Sequence, residues 1–195
     1  MVANRTDSGS IYRLKVSIKN IKPPVWRRIE VPGDATLGVL HEVLQTVVGW
    51  TDSHLHQFDV EGTLFSLPDP DDRDWGPPVR DERRVRLRDV VGVRVKRFLY
   101  EYDFGDGWEH AITVEGILPA EAGVTYPRCS AGRRACPPED CGGPWGYAEL
   151  LAAVSDPDHP EHREKREWLD GDFDPEAFDL DAVNVSLARR RARRR

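Results

Sequence analysis

Long apolar runs are absent from this chain: no stretch approaches the roughly 20 residues that a helix needs to cross a bilayer. The opening MVANRTDSGS also lacks the apolar segment of a secretory signal. The expectation is a protein of the cytoplasm with no membrane partner. Cysteine is scarce, three among 195 residues. An odd number in a reducing compartment argues against a disulfide framework and leaves free thiols or a metal site. Lysine is scarce beside arginine, five against 23, a bias that GC-rich coding accounts for as readily as guanidinium chemistry does. What remains is 39% hydrophobic and 32% charged, the composition of a globular domain long enough for one sizeable core and short for two. We expect a single domain over residues 10–187, a frayed N-terminus over 1–9 and an arginine-rich tail over 188–195.

The net charge of −6 conceals a division: RRRARRR at 189–195 carries six arginines, so residues 1–188 alone stand at −12. An acidic body repels phosphate and makes a poor nucleic-acid platform. The tail arginines, Arg189, Arg190, Arg191, Arg193, Arg194 and Arg195, could still add a salt-sensitive, sequence-independent contact to nucleic acid or to a protein partner. The alternative is a solvated helix end that pairs with the acidic body.

Alternation of Tyr12, Leu14, Val16 and Ile18 with Arg13, Lys15, Ser17 and Lys19 predicts a half-buried strand over 11–19. Pro23 and Pro24 break the chain before a second strand over 25–31, in which Arg27 shares a face with Val25, Ile29 and Val31. Thr36 offers an N-cap to a helix striped by Leu37, Leu40, Val43, Leu44, Val47 and Val48, and Gly49 supplies its stop. Strands follow over 54–60 and 63–67, turning at Glu61 and Gly62. The segment 68–84 reads as a long polar loop with little to bury, mobile or ordered only against a partner. A short helical turn over 85–91 leads to a hairpin near 97–103 and 108–117. Helices near 146–154, 161–169 and 181–191 close the chain. This order predicts an α+β fold: a mixed, mainly antiparallel sheet with β-hairpins around a central helix, a β-grasp-like opening, and C-terminal helices packed alongside.

Strand alternation places His54 and His56 on the face carrying Phe58 and Val60, and His110 on the face of Trp108, Ile112 and Val114. Neutral imidazoles there could bind a metal or carry protons, with Asp103, Asp106 and Glu109 completing an oxygen-rich rim. They could equally be core histidines bonded to backbone or carboxylate groups. Cys129, Cys136 and Cys141 are separated by six and four residues. Three thiolates can hold zinc with one further ligand, for which His110 is the nearest strand-borne candidate; reduced, buried cysteines are the alternative. Glu139 and Asp140 could ligate a hard cation or cap a turn. Gly142, Gly143 and Gly146 precede a helix but lack the lysine and Ser/Thr of a P-loop, so tight packing explains them better than an anion does. Trp26, Trp50, Tyr100, Tyr102, Trp108 and Trp145 read as core and its edges, not as a platform for stacked bases.

Several separated segments agree in order with a known family: PPVWRRI at 23–29, TLGVLHEVLQTVVGW at 36–50, HLHQFDV at 54–60, YDFGDGWEH at 102–110, YPRCSAGRRACPPEDCGGPWGY at 126–147 and FDPEAFDLDAVN at 173–184. The series resembles the root-inducing-plasmid "ORF three"-like family, also called TnpR-like passenger proteins of insertion elements. The resemblance implies an intracellular α+β protein often associated with mobile elements, and it transfers no catalytic residue. A serine recombinase needs a serine activated among arginines and a helix-turn-helix to reach the major groove. Neither is visible; Ser8 and Ser10 lie in the N-terminal segment. Two functional expectations follow. One is a non-enzymatic accessory or interaction protein, possible zinc included, that contacts partners through 68–84 and the arginine tail. The other is a metal-dependent hydrolase built on His54, His56 and His110 with Asp103, Asp106 or Glu109 as ligand or general base.

Overall fold

A computed structural model describes residues 9–68, 78–169 and 173–193. Strands β1 (Ser10–Ile18) and β2 (Trp26–Pro32) form the expected hairpin, with Leu14 opposite Ile29. Their alternation buries Tyr12, Leu14, Val16 and Ile18 on one face. Helix α1 (Leu37–Val48) lays Leu37, Leu40, Val43, Leu44 and Val47 into that core. Thr36 Oγ1 accepts the Val39 N–H at 3.2 Å, and Gly49 ends the helix at φ 92°, a left-handed conformation that glycine adopts without steric cost. Strands β3 (His56–Val60) and β4 (Thr63–Ser66) turn at Glu61 and Gly62, both at positive φ.

The remaining elements are β5 (Val79–Asp81), a 3-10 turn at Glu82–Arg84, α2 (Leu87–Val90), β6 (Arg97–Tyr102), β7 (Trp108–Pro119), β8 (Arg128–Arg133), α3 (Gly143–Ser155), α4 (His162–Trp168) and α5 (Leu180–Arg193). One sheet collects the strands in the order β5-β4-β3-β6-β7-β1-β2-β8. Every pairing is antiparallel except β4 with β5. The fold is therefore α+β with a mixed, mainly antiparallel sheet, as the element order predicts.

Two segments differ from the sequence expectation. The cysteine block is not loop throughout, because Arg128–Arg133 pairs with β2 as the outermost strand. The far end of the 68–84 segment is built into the domain: β5 joins the sheet and Glu82 is only 2% exposed. Residues 69–77 of that segment lie outside the described residues, as do 1–8, 170–172 and the last two tail arginines, Arg194 and Arg195.

The two sheet faces differ in kind. The core face receives α1 and carries Phe58, Tyr100, Trp108 and Ile112. The opposite face is a ladder of charge. Glu30 accepts Arg13 at 2.8 Å and Arg128 at 2.5 Å, Arg28 pairs with Glu115, and Lys19 with Glu109. Burial opposes ionisation of Glu30, yet the guanidiniums of Arg128 and Arg13 outweigh it and hold the carboxyl below its ordinary value. At the sheet edge, the Asn184 side chain of α5 accepts the Cys129 N–H and donates to the Cys129 carbonyl, both at 2.9 Å.

Candidate functional site

Two polar clusters stand near the ends of β3 and β6. The inner one forms where α1 crosses the sheet. His41 and Gln45 lie on the buried stripe of α1, and the His41 and His56 rings stack at 3.5 Å with a 5° interplanar angle. His41 Nε2 lies 2.8 Å from Asp52 Oδ1 and its Nδ1 2.8 Å from the Tyr100 hydroxyl. A carboxylate only accepts, so Nε2 donates to Asp52 and Nδ1 accepts from Tyr100. The same hydroxyl accepts Gln45 Nε2 at 3.0 Å, and Gln45 Oε1 accepts the Asp52 N–H at 3.1 Å. His56 Nε2 donates to Glu82 Oε2 at 2.9 Å. Gly38 makes room, since a Cβ there would sit 3.2 Å from Glu82 Oε1. Burial, then the neighbouring His56, lowers the His41 pKa, and burial raises that of Tyr100. His41, Gln45, Tyr100 and Asp52 thus form a hydrogen-bond circuit, with the His56–Glu82 pair stacked on it, and all but Asp52 are buried, which fixes their geometry; the ligand atoms of His41, Asp52 and His56 also lie within 4.8 Å of one another.

The outer cluster joins three segments distant in sequence. His54 precedes β3, Asp103 follows β6 and Asp140 follows β8; one donor atom from each lies within 4.8 Å of the others. Tyr102 braces this region. Its hydroxyl accepts the Ser53 N–H at 2.9 Å and the His54 N–H at 3.3 Å, and donates to Glu139 Oε1 at 2.6 Å. Glu139 Oε2 in turn accepts both Thr51 N at 2.9 Å and Thr51 Oγ1 at 2.6 Å. Glu139 thus ties the cysteine block to the loop ahead of β3. Burial and the Glu139 contact push the Tyr102 hydroxyl well above its ordinary pKa, so it stays a neutral donor.

The six residues expected as one polar cluster separate. His54 and Asp103 meet. His56 belongs to the inner circuit, and its side chain does not share a face with His54, which stands outside the strand. His110 is wholly buried, its Nδ1 donating to the Trp108 carbonyl at 3.0 Å, and burial lowers its pKa to about 4. Asp106 Oδ2 accepts the Gly142 N–H at 3.1 Å, and Glu109 pairs with Lys19 on the charged face. A Cβ on Gly143 or Gly146 would collide with the carbonyls of Asp106 and Cys141, which accounts for both glycines by close packing.

The three thiols do not gather with a fourth ligand: among the described residues, the clusters with ligand atoms in mutual reach contain no cysteine. Arg27, buried among apolar neighbours, donates to Cys136 Sγ at 3.0 Å and to the carbonyls of Val47 and Arg133, and its guanidinium lies 4.3 Å from the Phe178 ring centre. Burial raises all three thiols, Cys136 to about 11 and Cys141 to about 12, so each stands protonated at neutral pH.

The arginines of 189–193 lie on the last turns of α5. Arg190 bonds Glu42 at 3.1 Å and Thr46 at 3.4 Å, and Arg191 bonds the Tyr126 carbonyl at 3.4 Å. Arg189, Arg190 and Arg193 border an open concavity of about 650 Å³ between α1 and α5, floored by Gln45 and Trp50. No helix among the described residues is long and apolar enough to cross a membrane.

Sheet, helix order and the two polar clusters define an α+β domain with a one-sided core and a histidine circuit at its centre. This chain belongs to the plasmid pRiA4b ORF-3-like family, whose model matches residues 10–182. It is similar to y4hQ of Sinorhizobium fredii strain NGR234, described as an uncharacterized protein, with 44% identity over 181 residues, 92% of this chain and 91% of that one. It is also similar to the crystal structure of MM3350 from Methanosarcina mazei Go1, a protein of unknown function. The TM-score is 0.80 at 43% identity, covering 88% of this chain and 96% of that one.

Proposed function

We propose that this protein is a non-enzymatic accessory module that docks an acidic protein segment at the arginine-bearing end of α5. The observation that carries this reading is the concavity between α1 and α5. Arg189 and Arg193 border it, while Arg190 already grips a carboxylate, that of Glu42, within the molecule. Guanidinium groups pair with carboxylates in a planar, bidentate fashion. The acidic remainder of the chain repels a long polyanion laid across it, which favours a short acidic segment over a nucleic-acid backbone. Of the residues that the hydrolytic alternative requires, His54 and Asp103 meet while His56 and His110 are committed to the core.

The test uses the full chain and two fluorescent probes, an oligoglutamate peptide and an oligothymidylate. Salt-sensitive peptide binding, abolished by the pair Arg189→Glu and Arg193→Glu, is the expected result. Peptide binding that ignores the pair of substitutions overturns the docking site. Tighter binding of the oligothymidylate replaces the protein partner with a nucleic acid.

A further inference from the structure

The outer cluster has a feature that its hydrogen bonds do not explain. His54 Nε2 is 3.0 Å from Asp140 Oδ1 and 3.7 Å from Asp103 Oδ2. The nitrogen is shielded from water, yet neither approach has the direction of a hydrogen bond. It therefore faces the space between two carboxylates and is aimed at neither. Buried polar atoms in folded proteins are almost always partnered; of the four orphans among the described residues, on His54, Trp108, His110 and Tyr147, that of His54 faces two carboxylates whose oxygens lie within 4.8 Å.

The carboxylates have the complementary deficit. Among the described residues, neither Asp103 nor Asp140 is in an ion pair with a lysine or arginine, although Lys165 lines the same pocket as Asp140. Asp103 is set in place by its own turn, where Oδ1 accepts the Gly105 N–H at 3.0 Å and the Asp106 N–H at 3.3 Å. That leaves Oδ2 turned toward His54. The His54 ring is oriented from behind, edge-on to Tyr102 at 5.7 Å, with its backbone N–H on the Tyr102 hydroxyl. These two contacts fix where the imidazole sits.

The geometry points to a divalent-cation site formed by His54 Nε2, Asp103 Oδ2 and Asp140. A cation about 2.1 Å from each donor holds its ligands roughly 3.0–3.5 Å apart, the spacing of octahedral and tetrahedral edges. The His54–Asp140 separation of 3.0 Å falls at the lower end of that range, and the His54–Asp103 separation of 3.7 Å stands just beyond its upper end, within reach of a small side-chain rotation. One imidazole with two carboxylates selects a borderline ion of the zinc or manganese class over calcium, which prefers oxygen alone. Three protein donors leave positions for water, and the Asp140 side chain is 69% exposed, so the ion exchanges with solvent. The inner circuit is a weaker claimant for the same ion. Its two rings are parallel, so their lone pairs run side by side, and each Nε2 already donates to a carboxylate of its own.

The experiment titrates metal-free, full-length protein with Zn2+ and with Co2+, followed by calorimetry and visible absorption. One ion per chain is expected, with a cobalt spectrum free of thiolate charge-transfer bands. Asp140→Asn, at an exposed position that folding does not need, should weaken binding at least tenfold. His54→Ala should weaken it about a hundredfold. Retention of full affinity in Asp140→Asn and His54→Ala overturns the site. So does a thiolate band, which moves the ion to the cysteines, or a loss of binding caused by His41→Ala but not by His54→Ala. Failure of both ions to bind at micromolar concentration overturns it outright.

Discussion

The inner and outer clusters draw on the same residue types, histidine and carboxylate, and sit on neighbouring segments, yet they solve opposite problems. In the inner one, His41, His56, Gln45, Tyr100, Asp52 and Glu82 find partners for one another, and all but Asp52 are buried. In the outer one, a shielded nitrogen and two carboxylates converge without closing a bond. A satisfied buried network fixes one conformation, and an unsatisfied one is poised for a ligand. Residue type alone does not set these histidines apart; an unpartnered nitrogen facing two carboxylates does.

The comparison breaks most sharply at Glu82. Glu82→Ala leaves His56 buried opposite a cavity and should cost about 3–5 kcal/mol in urea unfolding, whereas Glu82→Gln, which keeps an acceptor, should cost less than half as much.

Acid acts next. His110 has a folded-state pKa of about 4 against an ordinary 6.5, and the His41 value is lowered too. Above 6.5 both states are neutral at His110 and nothing is lost. As pH falls from 6.5 toward 4 the unfolded chain takes up a proton that the folded one refuses, so stability declines by about 3 kcal/mol through His110 alone. Urea midpoints measured across that interval should fall steadily, and a His110→Asn variant should show a flatter slope. An unchanged midpoint would remove burial as the controlling influence on this ring.

Tyr102→Phe removes the brace common to Ser53, His54 and Glu139. A cost of about 1–2 kcal/mol is expected, together with weaker metal uptake, a joint effect that no substitution in the inner circuit should produce. The smallest effect belongs to Asp140→Asn: without added metal, thermal unfolding should shift by less than about 0.5 kcal/mol, because the side chain is exposed and its removal leaves no buried charge. A large destabilisation there would place the outer cluster among the structural ones.

Much of this was legible along the chain. Period-two alternation located β1 and β2, and Thr36 and Gly49 bounded α1 within a residue, since caps and alternation are local signals. His41 and Gln45 were readable in principle as polar residues on a buried helical stripe, four apart. Glu82 was not: it follows a run of proline and charge, and its burial depends on a parallel pairing of β5 with β4 that no local pattern encodes. The bulged pairing of β8 with β2 hid in the same way, because Pro, Gly and Arg around Cys129 signal loop. His54 and Asp140, 86 positions apart, meet only because Glu139 and Tyr102 pin one loop to the other.

Asn184 gives the sheet a boundary. By taking the N–H and the carbonyl of Cys129 onto one side-chain amide, it imitates the next strand at a position where β8 would otherwise present a free hydrogen-bonding row. A strand from a second molecule finds that place filled. The final helix thus guards against sheet-to-sheet polymerisation, and a chain cut short before residue 184 would expose a template for its own aggregation.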